Sequence, residues 1–215
     1  MRIIFLGPPG AGKGTQAKKI CAAYNIPQIS TGDILRVAVA NKTKIGLEIK
    51  SIMESGQLVS DSIIINVINE RLDHFDCKSG YLLDGFPRTV TQAKVLSEML
   101  DNKGDKIDYV IDINVELDEL VRRITGRRIC ESCSQMWHIE FLPPSKDGFC
   151  DNCGGKLYQR ADDVEETIKK RYNLYKDQSD ALNAYYSDQG IYHKFDGAIA
   201  IDQLTKQIET LIKGD

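Results

Sequence analysis

Apolar positions along the chain follow two rhythms. Short unbroken apolar runs occur at Ile3–Leu6, Tyr81–Leu83 and Tyr109–Ile113, with weaker ones at Ile26–Ile29 and Ile191–Phe195. Runs of this length and composition predict buried strands. Between them apolar residues recur at helical spacing, as at Ala17, Ile20, Cys21 and Tyr24 within Thr15–Tyr24. Strands separated by helices predict an α/β fold with a mostly parallel sheet and helices on both faces. Late in the chain, Asp162 or Asp163 is placed to cap a long helix whose inner stripe would hold Val164, Ile168, Tyr172 and Tyr175.

Two stretches break this alternation. Residues 30–59 keep helical spacing around Gly46 and Gly56 without a convincing strand, which predicts a small helical insert. Residues 127–160 are short polar pieces with glycines, Pro143-Pro144 and four cysteines, too irregular for a core helix, and predict a separate metal-held flap. Neither internal repeats nor low-complexity tracts occur.

Composition then narrows the class. A chain of 215 residues supports one main core with small appendages. Its 28 Lys and Arg against 31 Asp and Glu give a formal charge of -3, which makes nucleic acid a poor default partner. No stretch reaches the roughly 18 apolar residues of a membrane span, and no export pattern follows Met1-Arg2, so a cytoplasmic protein without a membrane partner is expected.

The sharpest chemical signal is Gly7-Pro8-Pro9-Gly10-Ala11-Gly12-Lys13-Gly14-Thr15, between a predicted strand and a predicted helix. Gly10, Gly12 and Gly14 let the backbone curl so that N–H groups point inward, and the helix adds its positive end. Lys13 brings a mobile charge to β- and γ-phosphates. Gly14 occupies the usual hydroxyl position of this pattern and Thr15 follows it, so any magnesium contact of Thr15 is expected through water.

Arg36, Arg88, Arg123, Arg127, Arg160 and Arg171 lie beside glycines, on short loops, or on predicted helices near the flap. Arg123 and Arg127 share a helix face, where their mutual repulsion is tolerated if a polyphosphate sits between them. Paired guanidinium contacts suit a transferring phosphoryl group, whose charge is spread over its equatorial oxygens. Arg122 and Arg128 read instead as solvated surface groups. Asp84 ends an apolar run at the rim where parallel sheets bind ligands, a place to orient the water shell of Mg²⁺. A phosphate acceptor is already ionised near neutral pH, so no general base is required, and His74, His138 and His193 are read as structural or surface groups.

Cys130, Cys133, Cys150 and Cys153 form two Cys-x-x-Cys knuckles, a spacing that fits one tetrahedral structural Zn²⁺. Trp137, Ile139, Phe141, Phe149 and Leu157 are available as a small apolar shell. Another metal such as iron, disulfides, or free thiols are the alternatives.

These motifs together resemble the adenylate kinase family, in its long bacterial form with a zinc-holding lid. The resemblance spans essentially the whole chain and rests on Gly7 to Thr15, Ser30-Thr31-Gly32-Asp33 with Arg36, Asp84-Gly85-Phe86-Pro87-Arg88, and Arg123-Ile124-Thr125-Gly126-Arg127. It implies a P-loop nucleoside monophosphate kinase fold with a five-stranded parallel sheet, split into a core (1–29, 60–125 and 164–215), an AMP-binding insert (30–59) and a zinc lid (126–163). It implies reversible, Mg²⁺-dependent conversion of ATP and AMP into two ADP by a cytoplasmic monomer. On the AMP side it implies Thr31, Arg36, Gln57, Leu58, Val59 and Gly85-Phe86-Pro87-Arg88, with Gln92 at the adenine edge. Gly10 to Thr15, Arg123, Arg127, Trp137, His138 and Ala198 would meet ATP. Lys13, Asp84, Arg88, Arg123, Arg127, Arg160 and Arg171 would form the catalytic set, with Asp162 and Asp163 pairing with the arginines when the lid closes and Gly126 as a hinge.

Three alternatives stay open. One is a kinase acting on UMP or CMP, against which Thr31 and Gln92 speak. A GTP-using relative is the second. The third is a nucleotide switch or zinc-dependent interaction module, which would not need the acceptor set Arg36, Arg88 and Gln92.

Overall fold

The computed structural model describes residues 1–214. In chain order the elements are β1 (Arg2–Leu6), α1 (Lys13–Tyr24), β2 (Gln28–Ser30), α2 (Thr31–Ala40), α3 (Lys44–Glu54), α4 (Asp61–Leu72), β3 (Tyr81–Asp84), α5 (Val90–Asp101), β4 (Tyr109–Asn114), α6 (Leu117–Thr125), β5 (Arg127–Cys130), β6 (Met136–His138), β7 (Leu157–Tyr158), α7 (Glu165–Ser187), β8 (Tyr192–Asp196) and α8 (Ile201–Lys213). Five strands form a parallel sheet in the order β2-β3-β1-β4-β8. A second, antiparallel sheet, β6-β5-β7, carries the cysteine segment.

Alternation along β1 explains the layers. Ile3 and Phe5 face one side and pack with Ala17 and Ile20 of α1, Leu120 of α6, and Leu204 and Ile208 of α8. Ile4 and Leu6 face the other and pack with Ile64 and Ile68 of α4, Leu96 of α5, and Leu182 and Tyr186 of α7. All four β1 side chains are buried, each contributing on the order of 1.5–3 kcal/mol. Both faces are covered, which is why the strands read as continuous apolar runs.

The weaker strand expectations appear slightly displaced, at Gln28–Ser30 and Tyr192–Asp196, and residues 31–40 and 44–54 are helical, as the apolar spacing implies. The cap of α7 is a correction. Val164 occupies that position without a side-chain hydrogen bond and is 47% exposed, so it does not belong to the inner stripe. Asp162 and Asp163 are taken by arginines instead, Asp162 by Arg171 at 2.7 Å and Asp163 by Arg127. Ile168 is buried as expected, and the Tyr175 hydroxyl donates to Asp112 on β4 at 3.0 Å.

The apolar shell around the cysteines is a second correction. Ile139 and Phe141 are exposed, and Phe141 lies against His138 and the Arg122 guanidinium. No helix among the described residues is long and apolar enough to cross a membrane.

Candidate active site and metal centre

The C-terminal ends of the parallel strands define one rim of the sheet, and the loop after β1 lies on it. Gly7, Gly10 and Gly12 have φ of 134°, 84° and 94°, conformations that side-chain-bearing residues rarely adopt. Gly7 also needs the absence of a side chain: a Cβ there would lie 2.4 Å from the Ile113 carbonyl oxygen on β4. Gly12 caps α1 without a side-chain hydrogen bond, and the first turn of α1 contains no acidic residue. The positive end of α1 therefore faces the rim with no carboxylate of its own helix beside it.

Lys13 folds over this loop, donating to the carbonyl oxygens of Gly7 and Pro8, each at 2.8 Å. Burial pushes its pKa from 10.5 down to about 8, against the pull of Asp84 and Asp112 and with help from Arg88 and Arg127. Asp84 ends β3 beside Gly14 and accepts from Gln28 Nε2 at 2.9 Å. Burial raises the Asp84 pKa while Lys13 and Gln28 oppose the rise.

Around this centre the structure gathers most of the predicted arginines. Arg88 Nε donates to Gly85 O at 2.8 Å and its side chain keeps solvent access; desolvation, then Arg171, draws its pKa down. Arg36 pairs with Asp33 at 2.5 Å, and Arg160 approaches the same carboxylate at 3.5 Å, joining the cysteine-bearing segment to α2. Burial, then Arg36 and Arg127, lowers Arg160 to about 10. Arg127 Nε donates to the buried Asp163 at 2.9 Å, and a second guanidinium nitrogen completes the fork. Arg171 joins Asp162 and also donates to Met53 O at the end of α3, at 3.1 Å. Arg123 stands at another edge, held by Glu119 at 2.7 Å and by Gly197 O at 2.8 Å, so it touches the loop carrying Ala198. Arg122 pairs with Glu140 on the surface, and Arg128 donates only to nearby backbone carbonyls, as expected of groups outside the site.

Among the described residues, Lys13 and Arg88 are in no ion pair, although both sit in the most charge-dense part of the molecule. Their hydrogen bonds to backbone carbonyls leave positive charge for an anion to neutralise.

The predicted acceptor residues lie alongside. Thr31 is buried and donates to Gly85 O at 3.1 Å. Gln57 and Leu58 are exposed and Val59 is buried, just beyond the left-handed turn of Gly56. Phe86 and Pro87 are buried behind Gly85. Gln92 is 2% exposed, and its amide is engaged twice: Oε1 accepts from the Arg88 backbone N–H at 2.7 Å and Nε2 donates to Asp61 Oδ1 at 2.6 Å.

In the cysteine-bearing segment the polar atoms of Trp137 and His138 have other partners. The Trp137 indole N–H points at Cys150 Sγ, 3.4 Å away. His138 Nδ1 accepts from the backbone N–H groups of Glu140 and Phe141, and Nε2 lies 3.3 Å from Arg122 O. Its ring lies so close to Gly126 that a Cβ there would meet Nε2 at 2.3 Å.

The four sulfurs of Cys130, Cys133, Cys150 and Cys153 lie within 4.8 Å of one another. Cys130 and Cys153 are 3.4 Å apart and Cys133 and Cys150 3.7 Å. A tetrahedron with metal–sulfur bonds of about 2.3 Å has edges of about 3.8 Å, so the cluster has the size of a zinc site and is too open for disulfides. The Gln135 backbone N–H leads the effects that pull the Cys133 thiol down, while Cys153, despite the Gly155 N–H, is pushed up by its neighbouring sulfurs, the mutual repulsion of clustered thiolates that a bound cation would relieve.

Asp61, Asp33 and Gln28 are the site-forming residues the motif argument left without a role. For Asp61 no local signal existed: the capping-box pattern Thr89-x-x-Gln92 can be satisfied within its own turn, so nothing in it asks for a partner on α4.

A glycine loop on a parallel strand, a helix N-terminus open to anions, and arginines converging on both define a phosphoryl-transfer enzyme of the nucleoside monophosphate kinase class. The adenylate kinase family profile matches residues 5–191, and the chain belongs to that family. It is 50% identical over 213 residues to the adenylate kinase of Archaeoglobus fulgidus, covering 99% of this chain and 98% of the relative. It is 47% identical over 213 residues to that of Thermodesulfovibrio yellowstonii, with 99% of both chains covered. With the adenylate kinase of Bacillus cytotoxicus it shares 49% identity over 214 residues, covering 100% of this chain and 99% of the relative.

Proposed function

We propose that the chain transfers the γ-phosphoryl group of ATP to a phosphate oxygen of AMP, reversibly and with Mg²⁺, yielding two ADP. The bond from the γ-phosphorus to the β,γ-bridging oxygen breaks as the AMP oxygen bonds to phosphorus, and no covalent enzyme intermediate forms. The observation that carries this reading is the charge arrangement: Lys13 and Arg88, free of ion pairs among the described residues, sit among arginines held by carboxylates.

In this reading Gly10 to Thr15 cradle the ATP phosphates, with Arg123, Arg127, Trp137, His138 and Ala198 along the rest of the donor. Thr31, Arg36, residues 57–59, residues 85–88 and Gln92 receive AMP. Arg88, Arg123, Arg127, Arg160 and Arg171 hold the moving phosphoryl group with Lys13. Asp84 and Thr15 would hold the water shell of Mg²⁺, which compensates phosphate charge when bound.

Residues 30–59 act as the acceptor insert and 126–163 as a lid on a core of 1–29, 60–125 and 164–215. One Zn²⁺ on the four cysteines would order a lid too small to be held by apolar burial. Four reduced thiols suit the cytoplasm, and the protein is read as a monomer without nucleic-acid or membrane partners. Closure excludes water, which would otherwise compete with AMP for the phosphoryl group.

The substitution Lys13→Met tests the donor role. We expect kcat to fall by about a hundredfold or more with an unchanged melting temperature, the scale of removing one fixed charge from a developing transition state. Near-normal turnover by a folded Lys13→Met variant would remove Lys13 from the mechanism.

A further inference from the structure

We propose that Asp61 is a specificity-determining positioning residue, which fixes the face of the Gln92 amide turned to the acceptor base and so selects adenine over 6-oxopurines. The inference rests on the proposed contact between Gln92 and the acceptor base.

Donor and acceptor character sets the orientation of the Gln92 amide. Gln92 lies in the first turn of α5, where its backbone N–H is capped by Thr89 Oγ1 at 3.1 Å. Its side chain is pinned from two sides by groups with fixed hydrogen-bonding character. A backbone N–H only donates, so the atom facing Arg88 N at 2.7 Å must be the Gln92 oxygen. A carboxylate only accepts, so the atom facing Asp61 Oδ1 at 2.6 Å must be the Gln92 nitrogen. The second oxygen of Asp61 accepts from the Thr89 hydroxyl at 3.3 Å, which holds the carboxylate in place. Turning the amide over would set N–H against N–H on one side and oxygen against oxygen on the other, two buried mismatches at once.

With that orientation fixed, Nε2 keeps one hydrogen beyond the bond to Asp61. The side chain is buried to 2% exposure, so a base that uses that hydrogen must lie directly against it. The adenine ring carries an acceptor, N1, beside its amino group. Guanine and hypoxanthine carry an N1–H there, which meets the Gln92 donor head on. Asp61 thus acts on selectivity without touching the substrate.

The test is steady-state kinetics with AMP and GMP as alternative acceptors for Asp61→Leu, Gln92→Ala and the double variant Asp61→Asn/Gln92→Glu. All three are first checked for folding by thermal melting. Asp61→Leu removes the acceptor at similar size, and we expect the AMP-to-GMP ratio of kcat/KM to fall about tenfold or more with the KM for ATP unchanged, the scale of one unpaired buried donor. In the double variant the new amide at position 61 donates to the new carboxylate at position 92, which then turns an acceptor to the base, and preference should move further toward GMP than in either single variant. A purely structural role of Asp61 would not move the ratio. If Gln92→Ala raises the KM for AMP while Asp61→Leu keeps the parent ratio, the positioning role is overturned and the base contact stands. If Gln92→Ala leaves the KM for AMP unchanged, the base contact fails, and the selectivity role of Asp61 fails with it.

Discussion

Binding of the ATP triphosphate should draw a proton onto Lys13, and the size of that uptake follows from the structure. Burial lowers the lysine from 10.5 to about 8 in the free protein. A triphosphate in the loop places several negative oxygens beside the amine and returns its pKa to the ordinary range or above. The difference corresponds to about 3 kcal/mol between charged and neutral forms at about 1.4 kcal/mol per tenfold. The neutral fraction of free Lys13 is then about one tenth at pH 7, one half at pH 8 and nine tenths at pH 9, and uptake on binding should follow these fractions. The γ-phosphate of ATP is already ionised across this window, so the uptake reports the lysine. Affinity should accordingly weaken as pH rises through 8. Calorimetry of a non-hydrolysable ATP analogue, repeated in buffers of different ionisation enthalpy, measures the uptake directly. Lys13→Arg, whose guanidinium stays charged, should abolish the pH dependence. Uptake near zero at pH 9 in the parent protein, or equal uptake in Lys13→Arg, would refute the assignment.

Two further outcomes concern the appendages. Cys130→Ser should lower bound zinc below the expected one per chain and lower the melting temperature before it affects the core, because the cluster of four sulfurs loses a corner; unchanged metal content by atomic absorption would contradict the site. Gly46→Ala should destabilise the protein by about 1–3 kcal/mol in urea unfolding despite alanine's better helix propensity, and raise the KM for AMP with little change for ATP, since the new Cβ would lie 2.0 Å from Ala38 O and force α3 from α2; an unchanged unfolding midpoint would show that the two helices move apart without cost.

The parts legible in the sequence were those whose physics is local. A strand buried on both faces must be apolar throughout, so β1, β3 and β4 stood out. The glycine loop and the cysteine knuckles combine backbone conformation with ligand spacing, and both occur within a few residues. Long-range pairing was not legible in residue spacing, and the arginine partners of Asp162 and Asp163 came only with the family resemblance. Asp163 lies where a helix cap belongs, but its carboxylate is held by Arg127 from the start of β5. The Trp137 ring has the composition of a nucleotide contact, while its N–H is directed to a sulfur. The Gln92 amide is fixed by a residue of another helix, and local periodicity carries no trace of that. Ile139 and Phe141 looked like shell residues and are exposed, because a flap ordered by metal ligands does not need them buried.

The central claim, phosphoryl transfer from ATP to AMP, is tested most directly by a coupled assay for ADP formed from ATP and Mg²⁺, with AMP, UMP, CMP and GMP supplied separately as acceptors. We predict rapid ADP formation with AMP, two ADP for each AMP consumed, and far slower reaction with the other three. Preference for a pyrimidine acceptor would contradict the roles given to Thr31 and Gln92, and the absence of transfer to any acceptor would contradict the claim itself.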